Sequence, residues 1–144
     1  MTVSVITDIT QAVTDELNGG AFSLPLTAAR AYRPAFDLQE MKDLHVTVVP
    51  KGIACSRLDR GRGQLDVQVD IAVQKKVSAE TAEVLDPLMG VVQEIADFLI
   101  GRPLGNAPGV IWIKTDNEPV YAQEHLSEMR QFTSLLTVTY RVAR

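Results

Sequence analysis

The residues in this chain that could do chemistry are few: two histidines, one cysteine and a short row of acids. A metal site needs His, Cys, Asp or Glu side chains that converge. His45 stands beside Asp43 and His125 beside Glu124, and neither belongs to a paired ligand motif. His45 reads as part of a polar strand face and His125 as part of a solvated loop. Cys55 would become a nucleophile only if a histidine met it in space, and nothing in the spacing argues for that. Ser56 and Ser134 lack the flanking glycines of a nucleophile elbow. Asp66, Gln68 and Asp70 alternate and share one face of a strand, which resembles a carboxylate pair for acid–base work. A half-buried strand needs polar residues on its wet side in any case, and that reading is preferred. Gly61-Arg62-Gly63 is too short for a phosphate loop and leads into a strand, as does Gly101 to Gly109. The expectation is no cofactor, no metal and no catalytic residue, so not an enzyme.

The most unusual local feature is the stretch from Cys55 to Gly63, where Arg57, Arg60 and Arg62 sit among glycines. Three readings stand beside one another. The stretch is a solvated loop without a task, or its arginines meet acidic patches of a neighbouring protein, or they meet phosphates. Arg57, Arg60 and Arg62 are the interaction residues expected on these grounds.

These residues must be positioned by a chain of 144 residues, 46% apolar and 22% charged, with a formal net charge of -4. That suits one domain spanning 1–144 with a real core, and it speaks against a wholly nucleic-acid-binding surface. One cysteine allows no internal disulfide, and a reducing compartment is expected. Met1 to Leu17 lacks the pattern of a secretory signal. Val84 to Ile100 is too interrupted to span a bilayer. A soluble protein, intracellular at synthesis, is expected.

Ile6, Ile9, Val13 and Leu17 recur at helical spacing, and Gly19-Gly20 follows, which predicts a helix over 6–17. Leu26 to Arg33 should be extended. Asp37 to Lys42 reads as a polar turn, and 44–50 as a strand ending at Pro50. Lys51 to Gly63 reads as a long loop. Leu65 to Gln74 alternates perfectly and is the clearest strand in the chain. Val84, Leu88, Val91, Val92, Ile95 and Leu99 mark a central helix stopped by Gly101. Pro87 either kinks that helix or opens its main part. Val110 to Lys114 is a short strand, and 119–130 is irregular with a turn of helix near Glu124 to Glu128. The alternating run 132–141 is a long closing strand. The fold expected is α+β: a two-layer sandwich, mostly antiparallel, with two amphipathic helices on one face of the sheet. Apolar residues on its open side, in 110–113 and at Val49 and Leu135, would suit a partner surface.

Taken together, these textures resemble a family. The opening helix ends in Leu17-Asn18-Gly19-Gly20, and Phe22-Ser23-Leu24 follows. Asp37-Leu38 to Met41-Lys42-Asp43 precedes the strand Val46-Thr47-Val48-Val49-Pro50. Val69 to Lys75 feeds a helix ending Glu94-Ile95-Ala96-Asp97-Phe98-Leu99, and Arg130 to Tyr140 closes the chain. The order resembles tail-terminator and tail-completion proteins of long-tailed bacteriophages, with the related minor tail and neck proteins. The resemblance implies a virion protein made in the host cytoplasm. It implies a homo-oligomeric ring, commonly a hexamer, between the tail tube and the neck or connector proteins. DNA would pass through its lumen without specific binding, and no membrane would be involved. It carries no residue-level motif. A head-completion or stopper-type adaptor of the same neck is the first alternative. A small α+β enzyme and a nucleic-acid-binding regulator are the others.

Overall fold

A computed structural model describes residues 4–32, 44–57 and 59–143. The element order is α1 (Val5–Asn18), β1 (Thr27–Arg30), β2 (His45–Arg57), β3 (Gly63–Lys76), α2 (Ala82–Leu99), β4 (Ile111–Asn117), α3 (Gln123–Met129) and β5 (Gln131–Ala143). The five strands form one sheet in the order β1-β2-β3-β5-β4. β1 runs parallel to β2. The other three pairings are antiparallel. The fold is the expected α+β sandwich.

Its core follows from the strand period of two. On β3, Val67, Val69, Ile71 and Val73 have no exposure, while Asp66, Gln68 and Asp70 stay half-buried on the other face. Register carries that division across the sheet. Val73 lies opposite Val46 and Ile71 opposite Val48 on β2. On β5, Leu136, Val138 and Tyr140 face Ile71, Val69 and Val67. α1 and α2 lay Ile9, Val13, Leu17, Leu88, Val92, Ile95 and Leu99 into the same cluster.

α1 starts where the sequence reading placed it. The Ser4 hydroxyl accepts from the Thr7 amide. Thr10 and Thr14 are buried but satisfied, since their hydroxyls donate to the carbonyls of Ile6 and Thr10 at 2.6 and 2.8 Å. At the far end, the Asn18 amide pairs with the backbone of Ala28 in both directions. It donates to the carbonyl at 3.0 Å and accepts from the N–H at 2.8 Å. This occupies the outward edge of β1, the weak point of any sheet. The segment that follows α1 is tied to α2 by an edge-to-face contact of Phe22 and Phe98, and by the Ser23 amide donating to Glu94.

Four expectations need correction. β2 does not end at Pro50. It continues to Arg57, with a bulge between Pro50 and Gly52. A bulge is where a strand tolerates a residue without an N–H. The stretch 51–63 is therefore mostly strand, not a long loop. Of the two readings of Pro87, the one in which it opens the main part of α2 falls: it lies inside a helix that runs from Ala82, with Val84 and Leu85 donating to the Thr81 carbonyl. β4 continues to Asn117, and 123–129 is a full short helix. Gly101, at φ +62, is the left-handed stop expected after α2. The turn expected over 37–42 lies outside the described residues.

Candidate functional site: an exposed hairpin arm

β1 accompanies β2 only from His45 to Val48, and Ala31 adds one bond to the Val48 carbonyl. Beyond the bulge, β2 has β3 on one side and, among the described residues, no strand on the other. Residues 53–57 are all exposed, and Ile53 keeps 45% of its surface. The register continues to Arg57 opposite Gly63. The chain thus carries β2 and β3 past the end of β1 to a tip that bears the predicted interaction residues, with β5 still beside β3 as far as Gln64; this stretch, open along β2, is the arm.

The structure separates their roles. Arg57 lies in the strand and Arg60 in the turn, and both are exposed. Arg62 is committed to the turn itself, with its guanidinium 2.8 Å from Asp59. The Asp59 carboxylate also accepts from the Gly61 amide at 2.9 Å, and the Asp59 amide donates to the Arg62 carbonyl. The Arg62 hydrogen bond, then the Gly61 amide, holds the Asp59 carboxyl below its ordinary range. The glycines close a tight turn here and do not loosen a long loop. Three arginines against one aspartate leave the tip positive. Cys55 is exposed on the same arm, opposite Leu65.

The other candidate residues are absorbed by the sheet. Asp66 receives both arms of the Arg141 guanidinium, at 2.8 and 3.2 Å. That contact lowers the Asp66 carboxyl and raises Arg141. Asp70 accepts from the Thr137 hydroxyl at 2.7 Å. These carboxylates form a cross-strand ladder, each with its own partner. The two histidines, 80 residues apart in the chain, come to one end of the sheet, where α3 lies against β5 and Gln74 and Thr133 are buried. His45 pairs with Gln74, Gln74 with Thr133, and His125 bonds the Thr133 hydroxyl at 2.8 Å. No group of three potential metal ligands occurs among the described residues. No helix there is long and apolar enough to cross a membrane.

Sequence reasoning missed the counterpart of the arm. Helix α2 carries Glu83, Asp86, Glu94 and Asp97 and no basic residue, and Glu83, Asp86 and Asp97 are exposed. Beside it, β4 is the other edge of the sheet, with Ile111 at 61% exposure. Ile100, at the end of α2, is 55% exposed. The absence of basic residues from 82–99 was visible in the sequence, but nothing there put that helix beside an edge strand.

The fold and the arm define a two-layer α+β domain with an exposed basic hairpin and an acidic, partly apolar far edge. No protein-family model matches the chain, and no curated protein matches it. Among solved structures, the chain is similar in fold to one from a structure titled "Virion of native gene transfer agent (GTA) particle". The TM-score is 0.65 at 14% identity, covering 99% of this chain and 100% of that one. At that identity the likeness is one of fold.

Proposed function

We propose that this chain is a structural virion protein, not an enzyme. It forms a ring at the head–tail junction that terminates or completes the tail tube. The observation that carries the reading is the end-to-end match in fold to a chain from a virion, with neither chain leaving a substantial part over. The resemblance to tail-terminator and tail-completion proteins supports the same place. The ring is homo-oligomeric, a hexamer by that resemblance, with the tail tube on one side and neck proteins on the other. The chemistry of the surface is consistent with a conduit. A net charge of -4 and the wholly acidic α2 give a subunit that does not hold DNA through a broad basic face. No cofactor is required.

Light scattering over a concentration series tests this. A closed ring gives one discrete multiple of the subunit mass, approached as concentration rises. A strict monomer at every concentration overturns the self-assembling ring. Electron microscopy of particles lacking the protein then fixes its position. Tails of irregular length indicate a terminator, whereas filled heads that leak DNA indicate a stopper-type adaptor.

A further inference from the structure

We infer that the β2–β3 arm of one subunit docks on the β4 edge and α2 of a second copy of this chain. The inference rests on the ring reading above and names the surfaces that would build the ring.

Three observations carry it. First, the sheet has two open stretches of edge among the described residues, and they lie on opposite sides. One is β2 beyond its bulge, where β1 no longer accompanies it. The other is the outer side of β4, the last strand of the sheet. Open edges are templates for pairing with another chain, and past its bulge β2 runs on through five exposed residues, Ile53 to Arg57. Second, the charges are complementary. The arm presents Arg57 and Arg60, while Arg62 is balanced by Asp59. The far edge presents Asp97 of α2, whose only bond among the described residues is from the neutral Gln93 amide, and Asp116 of β4, paired only with the exposed Lys114 at 3.5 Å. Third, each edge keeps a large apolar side chain in water: Ile53 on the arm, and Ile111 and Ile100 on the other side. A basic, partly apolar edge and an acidic, partly apolar edge on opposite sides of one domain make a head-to-tail contact. Repeated, such a contact closes into a ring or runs on as a filament; it does not stop at a two-fold dimer.

Nucleic acid is the competing occupant of the arm. Two arginines with no ion pair among the described residues, beside an aspartate, make a weak phosphate site, whereas the acidic far edge has no role in that alternative.

The test begins with the double reversal Arg57→Glu/Arg60→Glu, both at exposed positions, with Arg62 kept so that the turn stays closed. Circular dichroism and melting verify the fold. Like charges placed across the contact should weaken self-association by on the order of 100-fold, with loss of the ring species. Adding Asp97→Lys/Asp116→Lys should restore it. In the native protein, alkylation of Cys55 should slow as the ring forms, because the arm becomes covered. If the protein assembles but the reversal leaves its mass unchanged, this contact is overturned while the ring reading stands. Reversal that abolishes salt-dependent DNA binding without touching the mass overturns it in favour of nucleic acid. A monomer at every concentration removes the ring reading and this contact together.

Discussion

Asn18→Ala offers the sharpest test of how this sheet is held at its β1 edge. The Asn18 amide makes two hydrogen bonds to Ala28, at 3.0 and 2.8 Å, and Ala28 is 4% exposed. Removing the amide strands both a buried N–H and a buried carbonyl. Each such group costs about 1–3 kcal/mol when nothing replaces its partner. Asn18 is itself exposed, so water reaches the site once the side chain is gone. That holds the cost near the lower end, about 2–3 kcal/mol for the pair. Alanine also returns about 0.5 kcal/mol of helix propensity at the last position of α1. The net loss is about 2 kcal/mol, or a fall in Tm of about 5–8 °C for a domain of this size. Urea denaturation should show a lower midpoint with an unchanged m value. Hydrogen exchange should show the Ala28 amide losing protection ahead of the core. Asn18→Asp separates shape from chemistry. It keeps the acceptor for the Ala28 N–H but turns an oxygen toward the carbonyl, so it should cost nearly as much as alanine. A loss below 0.5 kcal/mol for Asn18→Ala, with Ala28 protection intact, would refute the claim that this residue seals the edge.

Glu16→Gln should cost about 1 kcal/mol near pH 7, because a charged contact to Arg102 at 2.8 Å and one to the Gly105 amide at 2.9 Å are weakened. The hydrogen bond from Arg102, then the Gly105 amide, lowers the Glu16 carboxyl in the folded state. Its contribution is therefore complete above the ordinary carboxylate range and disappears as pH falls through the lowered value. Wild type and variant should converge in acid melts, and a gap that widens in acid would contradict the sign. Tyr140→Phe should be neutral, or stabilising by up to about 1 kcal/mol, since the hydroxyl is fully buried and unpartnered among the described residues. Burial also raises its ionisation above the ordinary tyrosine value, so a spectroscopic titration should show this phenol resisting alkali until the protein unfolds. Two glycines should answer alanine with opposite signs. Gly90→Ala, inside α2 with open space at its Cβ, should stabilise by about 0.5–1 kcal/mol. Gly101→Ala, at φ +62 with equally open space, should destabilise by about 1 kcal/mol. Equal signs in chemical denaturation would show that backbone conformation does not decide these positions.

The elements that were readable in advance are those with one buried face. β3 alternates because Val67, Val69 and Ile71 have no exposure while Asp66, Gln68 and Asp70 are half-buried. β5 is legible from the alternation of Leu136, Val138 and Tyr140 with threonines, although Thr133, Thr137 and Thr139 are buried too. α1 and α2 show a stripe of period 3.6 for the same reason. Where burial is shared or interrupted, the signal fades. β1 buries Ala28 alone, so its four residues carry almost no pattern. α3 is too short to repeat a stripe. The parallel pairing of β1 with β2 leaves no local mark at all, since it depends on where the connection between them runs. Asp66 and Asp70 are half-buried polar groups on one strand face, as the alternation implies. Their partners, Arg141 and Thr137, lie 75 and 67 residues away and could not be found by spacing.

The arm shows why its own sequence misleads. Alternation is the imprint of a face pressed against a core, and residues 53–57 press against none. Selection for a buried face cannot write a period of two there, and with Pro50 and Gly52 before it and Arg60, Gly61 and Arg62 after it the stretch reads as loop. Yet the segment is held in strand by a full register with β3, from Ile53 opposite Val67 to Arg57 opposite Gly63. An ordered, exposed strand edge that buries little within its own subunit contributes little to that subunit's stability. Solvent-facing changes at Arg57 and Arg60 should accordingly leave the melting of the isolated subunit within about 0.5 kcal/mol of wild type, as surface substitutions generally do. Their effect should fall on the mass of the assembly instead. The same two substitutions thus separate a residue kept for folding from one kept for contact, and a large loss of subunit stability would place Arg57 and Arg60 with the fold.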